Sequence, residues 1–71
     1  MRQNRGALWR VIYIARDERQ AQMIEDLLHD AGFMVDRKRP SPEAPGQEDI
    51  EIKALAAEAE EARLYLMEKG L

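Results

Sequence analysis

The residues of this 71-residue chain that could carry chemistry are few: one histidine, the acidic pairs Glu25-Asp26 and Glu60-Glu61, and three lysines, with no cysteine. His29 stands between Leu28 and Asp30 near the end of a helical stretch, where a cation interacts well with the helix dipole. A metal site would need partners for it, and the chain has no cysteine and no second histidine. His29 therefore reads as a partly exposed surface residue. Glu25-Asp26 and Glu60-Glu61 would have to converge in a cleft to share acid–base work. Neighbours on a helix point in different directions, so each pair reads as solvated helix face. Lys38, Lys53 and Lys69 sit in no motif. Gly6, Gly32, Gly46 and Gly70 stand alone, without the spacing of a phosphate loop or a dinucleotide fingerprint. No catalytic residue, metal or cofactor is expected, and the chain reads as a non-enzyme.

Aromatic and basic residues offer a different chemistry. Trp9, Val11 and Tyr13 alternate along an apolar strand and would share one face. Rings on an open sheet can stack bases, and Arg37-Lys38-Arg39, with Arg2 and Arg5, could contact phosphates. Charge argues against this. Residues 1 to 39 hold eight Lys and Arg against six Asp and Glu, whereas residues 40 to 71 hold three against eight, for a net charge of −3. A nucleic-acid binder usually shows a basic excess. A later strand, Asp49-Ile50-Glu51-Ile52, also lacks the aromatic and basic signature of an RNA-recognition strand.

Those residues must be held by a few short elements. Leu8 to Ala15 is rich in β-branched and aromatic residues and reads as a strand. Strict alternation puts Trp9, Val11, Tyr13 and Ala15 on one face and Leu8, Arg10, Ile12 and Ile14 on the other. Both faces are apolar around residues 11 to 14, which suits a central strand or one covered on both sides. Asp17 opens a helix as N-cap, with Gln20 where a capping box would place it. Ala21, Ile24, Leu27, Leu28 and Ala31 make its apolar stripe. Gly32 ends it in the left-handed conformation, so Phe33 and Leu28 occupy the two positions that touch in a Schellman motif. Residues 33 to 38 read as a second strand, with Phe33 and Val35 facing one way and Met34 the other. Pro40 to Gln47 holds all three prolines and reads as a loop. Residues 48 to 53 alternate, with Ile50 and Ile52 inward. A final helix runs from about Ala56 to Lys69, with Ala59, Ala62 and Leu66 on one face and Gly70 closing it.

Size bounds the rest. A chain this short makes one domain with a thin core, here residues 8 to 70 after a basic arm at residues 1 to 7. Without cysteine or a metal site, added stability must come from good local structure or from oligomerisation. No apolar run approaches the ~20 residues of a membrane span. Lack of cysteine fits a reducing compartment, and the chain reads as a soluble cytoplasmic protein.

The order β-α-β-β-α allows few topologies. The expected fold is α+β: a three-stranded, mainly antiparallel sheet of order 2-3-1 with both helices on one face, a ferredoxin-like plait without its fourth strand. The opposite face and the free edge of the first strand would stay uncovered.

The residues Trp9-Arg10-Val11-Ile12-Tyr13-Ile14-Ala15, then Ala21, Ile24, Leu27, Leu28 and Ala31-Gly32-Phe33, then Ile50-Glu51-Ile52 and Glu60-Glu61-Ala62, resemble a family of very small bacterial proteins. That family is described as prokaryotic signal-transducing proteins of unknown function. The resemblance spans most of residues 9 to 66 and implies the same fold and a signalling role. Some similar small clostridial proteins carry the label glutamate decarboxylase. Pyridoxal phosphate chemistry needs a Schiff-base lysine, a phosphate cradle and a pocket, which this chain is too small to build.

The functional expectation is an interaction or regulatory module. Its candidate surface is Trp9, Val11, Tyr13, Arg37, Lys38 and Arg39. A homodimer through the first strand or its face would bury Trp9 and Tyr13, and large aromatics dominate interface energetics. A monomer whose Trp9 covers the end of its own core is the other arrangement these residues allow. An unidentified protein partner or a small-molecule ligand remains open, nucleic acid is the alternative partner, and no membrane association is expected.

Overall fold

The computed structural model describes residues 8–38 and 49–71. The arm expected at residues 1–7, the loop expected at Pro40 to Gln47, and Arg39 lie outside the described residues. In chain order the elements are β1 (Trp9–Ala15), α1 (Glu18–Asp30), β2 (Val35–Lys38), β3 (Ile50–Leu55), a single 3-10 turn (Ala56–Glu58) and α2 (Ala59–Glu68). The fold is α+β. The sheet order is β1-β3-β2, with β3 antiparallel to both neighbours, as expected. Among the described residues β3, the last of the three strands, is central and β1 is an edge.

Local chemistry sets the ends of α1. Asp17 is its N-cap, and its carboxylate accepts from the Gln20 N–H at 2.8 Å. The Gln20 side chain reaches back, but its Oε1 accepts from Arg16 N–H at 2.8 Å, one residue before the position a capping box would use. At the other end Gly32 has φ +91°. Phe33 N–H donates to the Leu28 carbonyl and Gly32 N–H to the His29 carbonyl, each at 2.9 Å, the bonding of the expected Schellman motif. α2 ends the same way, with Gly70 at φ +87° and Leu71 N–H donating to the Leu66 carbonyl at 3.0 Å. Both caps return an apolar residue to the core, since Phe33 and Leu71 pack against it.

The core is one layer between sheet and helices. Ile24, Leu28, Ile52 and Leu66 are its largest fully buried side chains. Among the described residues five of the eleven that are buried are alanines: Ala15, Ala21, Ala54, Ala59 and Ala62. Small residues let both helices sit close to the sheet, and they also keep the apolar area buried per residue low. Phe33 and Tyr65 close one margin with rings 6.0 Å apart, and Lys69 Nζ lies 5.3 Å from the Tyr65 ring centre.

Several boundaries move. β2 begins at Val35 and not Phe33. β3 runs two residues further, to Leu55, because Ala54 continues the buried alternation of Ile50 and Ile52. The first turn of the last helix is 3-10 rather than α. Ala31 is exposed as the C-cap of α1 rather than part of its buried stripe.

The main correction concerns β1, whose faces do not alternate strictly. Val11 pairs with Lys53 and Tyr13 with Ile52, so Ile12 is one residue more than β3 can match. A bulge of this kind turns two successive side chains toward the same side of the sheet. Ile12 is buried in the core, and Tyr13 packs against it beside Ala15. Val11 and Ile14 are 40% and 56% exposed. Trp9, Val11 and Ile14 thus share the register rows of Leu55, Lys53 and Glu51 on the face away from the helices. Tyr13 does not lie with Trp9 and Val11, and Ile14 does.

The positive φ of Gly32 gives a prediction for stability. A Cβ added there would meet nothing within 4 Å, so the cost of a side chain is backbone strain alone. Gly32→Ala should lower unfolding stability by about 1–2 kcal/mol without changing the native spectrum. Denaturant unfolding followed by circular dichroism measures it, and an unchanged midpoint would contradict the assigned role of the cap.

Candidate interaction surface

Each face of the sheet carries a different part of the residue set expected at the surface. On the helix-free face, β1 contributes an apolar column of Trp9, Val11 and Ile14. β3 contributes Leu55, Lys53 and Glu51 beside them, and β2 contributes Asp36 opposite Lys53 and Lys38 opposite Glu51. Trp9 is half-buried, whereas Asp36 and Lys38 are exposed. Both helices pack into the single core cluster on the opposite face, and on this one Val11 and Ile14 stay exposed. It is apolar along the β1 edge and at Leu55, and charged at Glu51, Lys53, Asp36 and Lys38. The charged part holds two acids and two bases, and opposite signs stand across from one another, the favourable cross-strand arrangement.

Arg37 belongs to the other face. It pairs with Ile52 in register and so points toward α1. Its Nε donates to Glu25 Oε2 at 2.6 Å, its Nη1 forms a short contact with Glu18 Oε2, and its Nη2 reaches Gln22 Oε1 at 3.4 Å. Glu18, Gln22 and Glu25 are spaced three to four residues apart, so they line one side of α1. The Arg37 side chain is only 19% exposed, and that of Glu25 15%. The hydrogen bond to Glu25 raises the guanidinium above its ordinary pKa, desolvation opposes it, and Glu18 adds to the rise. Arg37 therefore stays cationic at every working pH, committed to two carboxylates. It is a clasp between the edge strand β2 and α1.

The run Arg37-Lys38-Arg39 is therefore not a single basic patch: Arg37 and Lys38 face opposite sides of the sheet, and Arg39 lies outside the described residues. Trp9 and Tyr13 are also divided between the two faces. A base-stacking platform needs its rings on one accessible face, and these two residues do not provide it. Alternation on β2 held a signal for Arg37, because it shares parity with the inward Val35. Ile14 had no such signal, since its position depends on the bulge.

The remaining candidates stand apart. His29 is exposed in the last turn of α1. The acidic pairs take separate partners: Glu25 binds Arg37, Asp26 accepts from Gln22 Nε2 at 3.1 Å, and Glu60 lies 3.7 Å from Arg63. Among the described residues no three His, Asp or Glu side chains converge as metal ligands, and no helix is long and apolar enough to cross a membrane.

Comparison with protein-family models, curated proteins and solved structures finds no match. The family resemblance thus rests on the residues quoted for it.

The split of Arg37 from Lys38 is measurable. Arg37→Met leaves the partly buried Glu25 carboxylate without its cation and should destabilise the fold by about 1–3 kcal/mol. Lys38→Met, at an exposed site, should stay within about 0.5 kcal/mol of the parent. Equal effects in denaturant unfolding would refute the clasp.

Proposed function

We propose that the chain is a non-enzymatic interaction or regulatory module of the cytoplasm that works as a homodimer, with the helix-free face of the sheet as its contact surface. The observation that carries this reading is the column of Trp9, Val11 and Ile14, apolar and uncovered along one edge of an otherwise charged face. Apolar side chains grouped in this way mark association surfaces more often than scattered ones do. The core also has little apolar area to spare, since so much of it is alanine, and a small domain gains stability by burying surface against another subunit.

Charge favours a second copy as the occupant. Asp36, Lys38, Glu51 and Lys53 cancel, so the face has no net attraction for a polyanion, and a nucleic acid would gain little from it. A surface with equal numbers of each sign can complement itself. Association of two such modules would join whatever each is attached to or bound by. This suits the signalling role implied by the family resemblance.

Light scattering across a dilution series tests the reading. The parent should have the mass of a dimer at high concentration and fall toward the monomer on dilution. Ile14→Glu puts a charge into the column at a site exposed in the monomer, so the fold should persist while association weakens on the order of a hundredfold, as loss of an interface anchor does. A parent that is monomeric throughout, or a folded Ile14→Glu variant that associates as well as the parent, would overturn it.

A further inference from the structure

The helix-free face has a charge pattern specific enough to orient a second copy. Two register rows cross all three strands. One holds Ile14, Glu51 and Lys38, and the next holds Val11, Lys53 and Asp36. Sign alternates along β3, along β2 and across each row, so the four charges form a checkerboard with the apolar column beside it. The bulge makes the pattern possible, because it gives Val11 and Ile14, three residues apart, adjacent places on one face.

We propose that two copies pack these faces together about a two-fold axis that lies across the strands, midway between the two rows. This rests on the homodimer reading above and adds its geometry. A half-turn about that axis exchanges the rows. Ile14 then meets Val11 of the second copy, Glu51 meets Lys53 of the second copy, and Lys38 meets Asp36 of the second copy. All six positions match, apolar on apolar and acid on base. A two-fold axis parallel to the strands through β3 does the reverse: it sets Glu51 on Glu51, Lys53 on Lys53, and the apolar column on the charges of β2. Pairing β1 edge to edge leaves the charges out of the contact. Packed sheets lie ~10 Å apart, within reach of lysine and glutamate side chains from both sides. The ion pairs offset their own desolvation rather than adding much affinity. Their effect is on register, because a like-charge juxtaposition is strongly unfavourable. Affinity comes from Val11 and Ile14 of both copies.

Charge reversal with complementation tests the axis. In E51K the introduced lysine would face Lys53 of the second copy, and in K53E the introduced glutamate would face Glu51. Each variant alone should associate at least about tenfold more weakly than the parent, with an unchanged circular dichroism spectrum. An equimolar mixture of the two should regain the dimer mass, as a one-to-one heterodimer resolved by native mass spectrometry. If both variants dimerise like the parent, the axis is wrong while the homodimer stands. If both fail to dimerise and mixing restores nothing, the axis is also wrong. If the parent itself is a monomer, the homodimer reading falls and the axis with it.

Discussion

One extra residue on β1 governs what each face of the sheet presents. Tyr13 pairs with Ile52 of β3 while Ile12 before it has no register partner, and this shifts the parity of the strand partway along it. With strict alternation, Ile12 and Ile14 would share a face, as would Val11, Tyr13 and Ala15. With the bulge, Ile12 joins Ala15 in the core, while Ile14 moves out beside Val11 and Trp9. The core gains a branched side chain where the neighbouring alanines leave room. The outer face gains an unbroken apolar column. Both follow from one irregularity in the ladder, and bulges are common on edge strands, where only one neighbour constrains the register.

The two faces are held by different means. On the inner face Arg37 carries a charge into the margin of an apolar layer, and two carboxylates and an amide of α1 receive it. Among the described residues β2 has four residues and only β3 as a ladder partner, so this clasp is a second attachment for a strand with few backbone bonds. On the outer face Asp36 and Lys38 are exposed and Glu51 and Lys53 half-buried, and opposite signs face one another across the strands where water screens them. The first set contributes to stability, and in the proposed dimer the second sets the register.

The sequence discloses those parts of this structure that depend on neighbours along the chain. Asp17 and Gln20 mark the start of α1, and Gly32 with Phe33 and Leu28 marks its end down to the individual hydrogen bonds. The alternation Asp49-Ile50-Glu51-Ile52 marks which side of β3 is inward. β1 resists the same treatment because residues 11 to 14 are all apolar. Alternation carries information only where apolar and polar residues differ, so a shift of one position leaves no trace in Val-Ile-Tyr-Ile. The basic run at Arg37 misleads for another reason. A cluster of cations normally lies in water, and its exception is visible only once α1 is seen to bring Glu18 and Glu25 over the strand. The candidate surface was thus half legible: Trp9, Val11 and Lys38 lie on the helix-free face, Tyr13 and Arg37 lie behind it, Arg39 is outside the described residues, and Ile14 was hidden by parity.

The central position of β3 bears on how the fold can arise. Among the described residues β1 and β2 each pair only with β3, and β3 follows both in the chain. During synthesis from the N-terminus, β1 emerges first and has no ladder partner until the last strand is out. Until then its backbone groups and its apolar side chains on both sides are open to water and to other chains, the condition under which nascent strands associate wrongly. α1 can form early from its own caps and cover one side. The β2–β3 hairpin can close locally, and β1 then docks along its free edge. The most distant pairing in the sequence comes last, because loop closure over that span must precede any contact that rewards it.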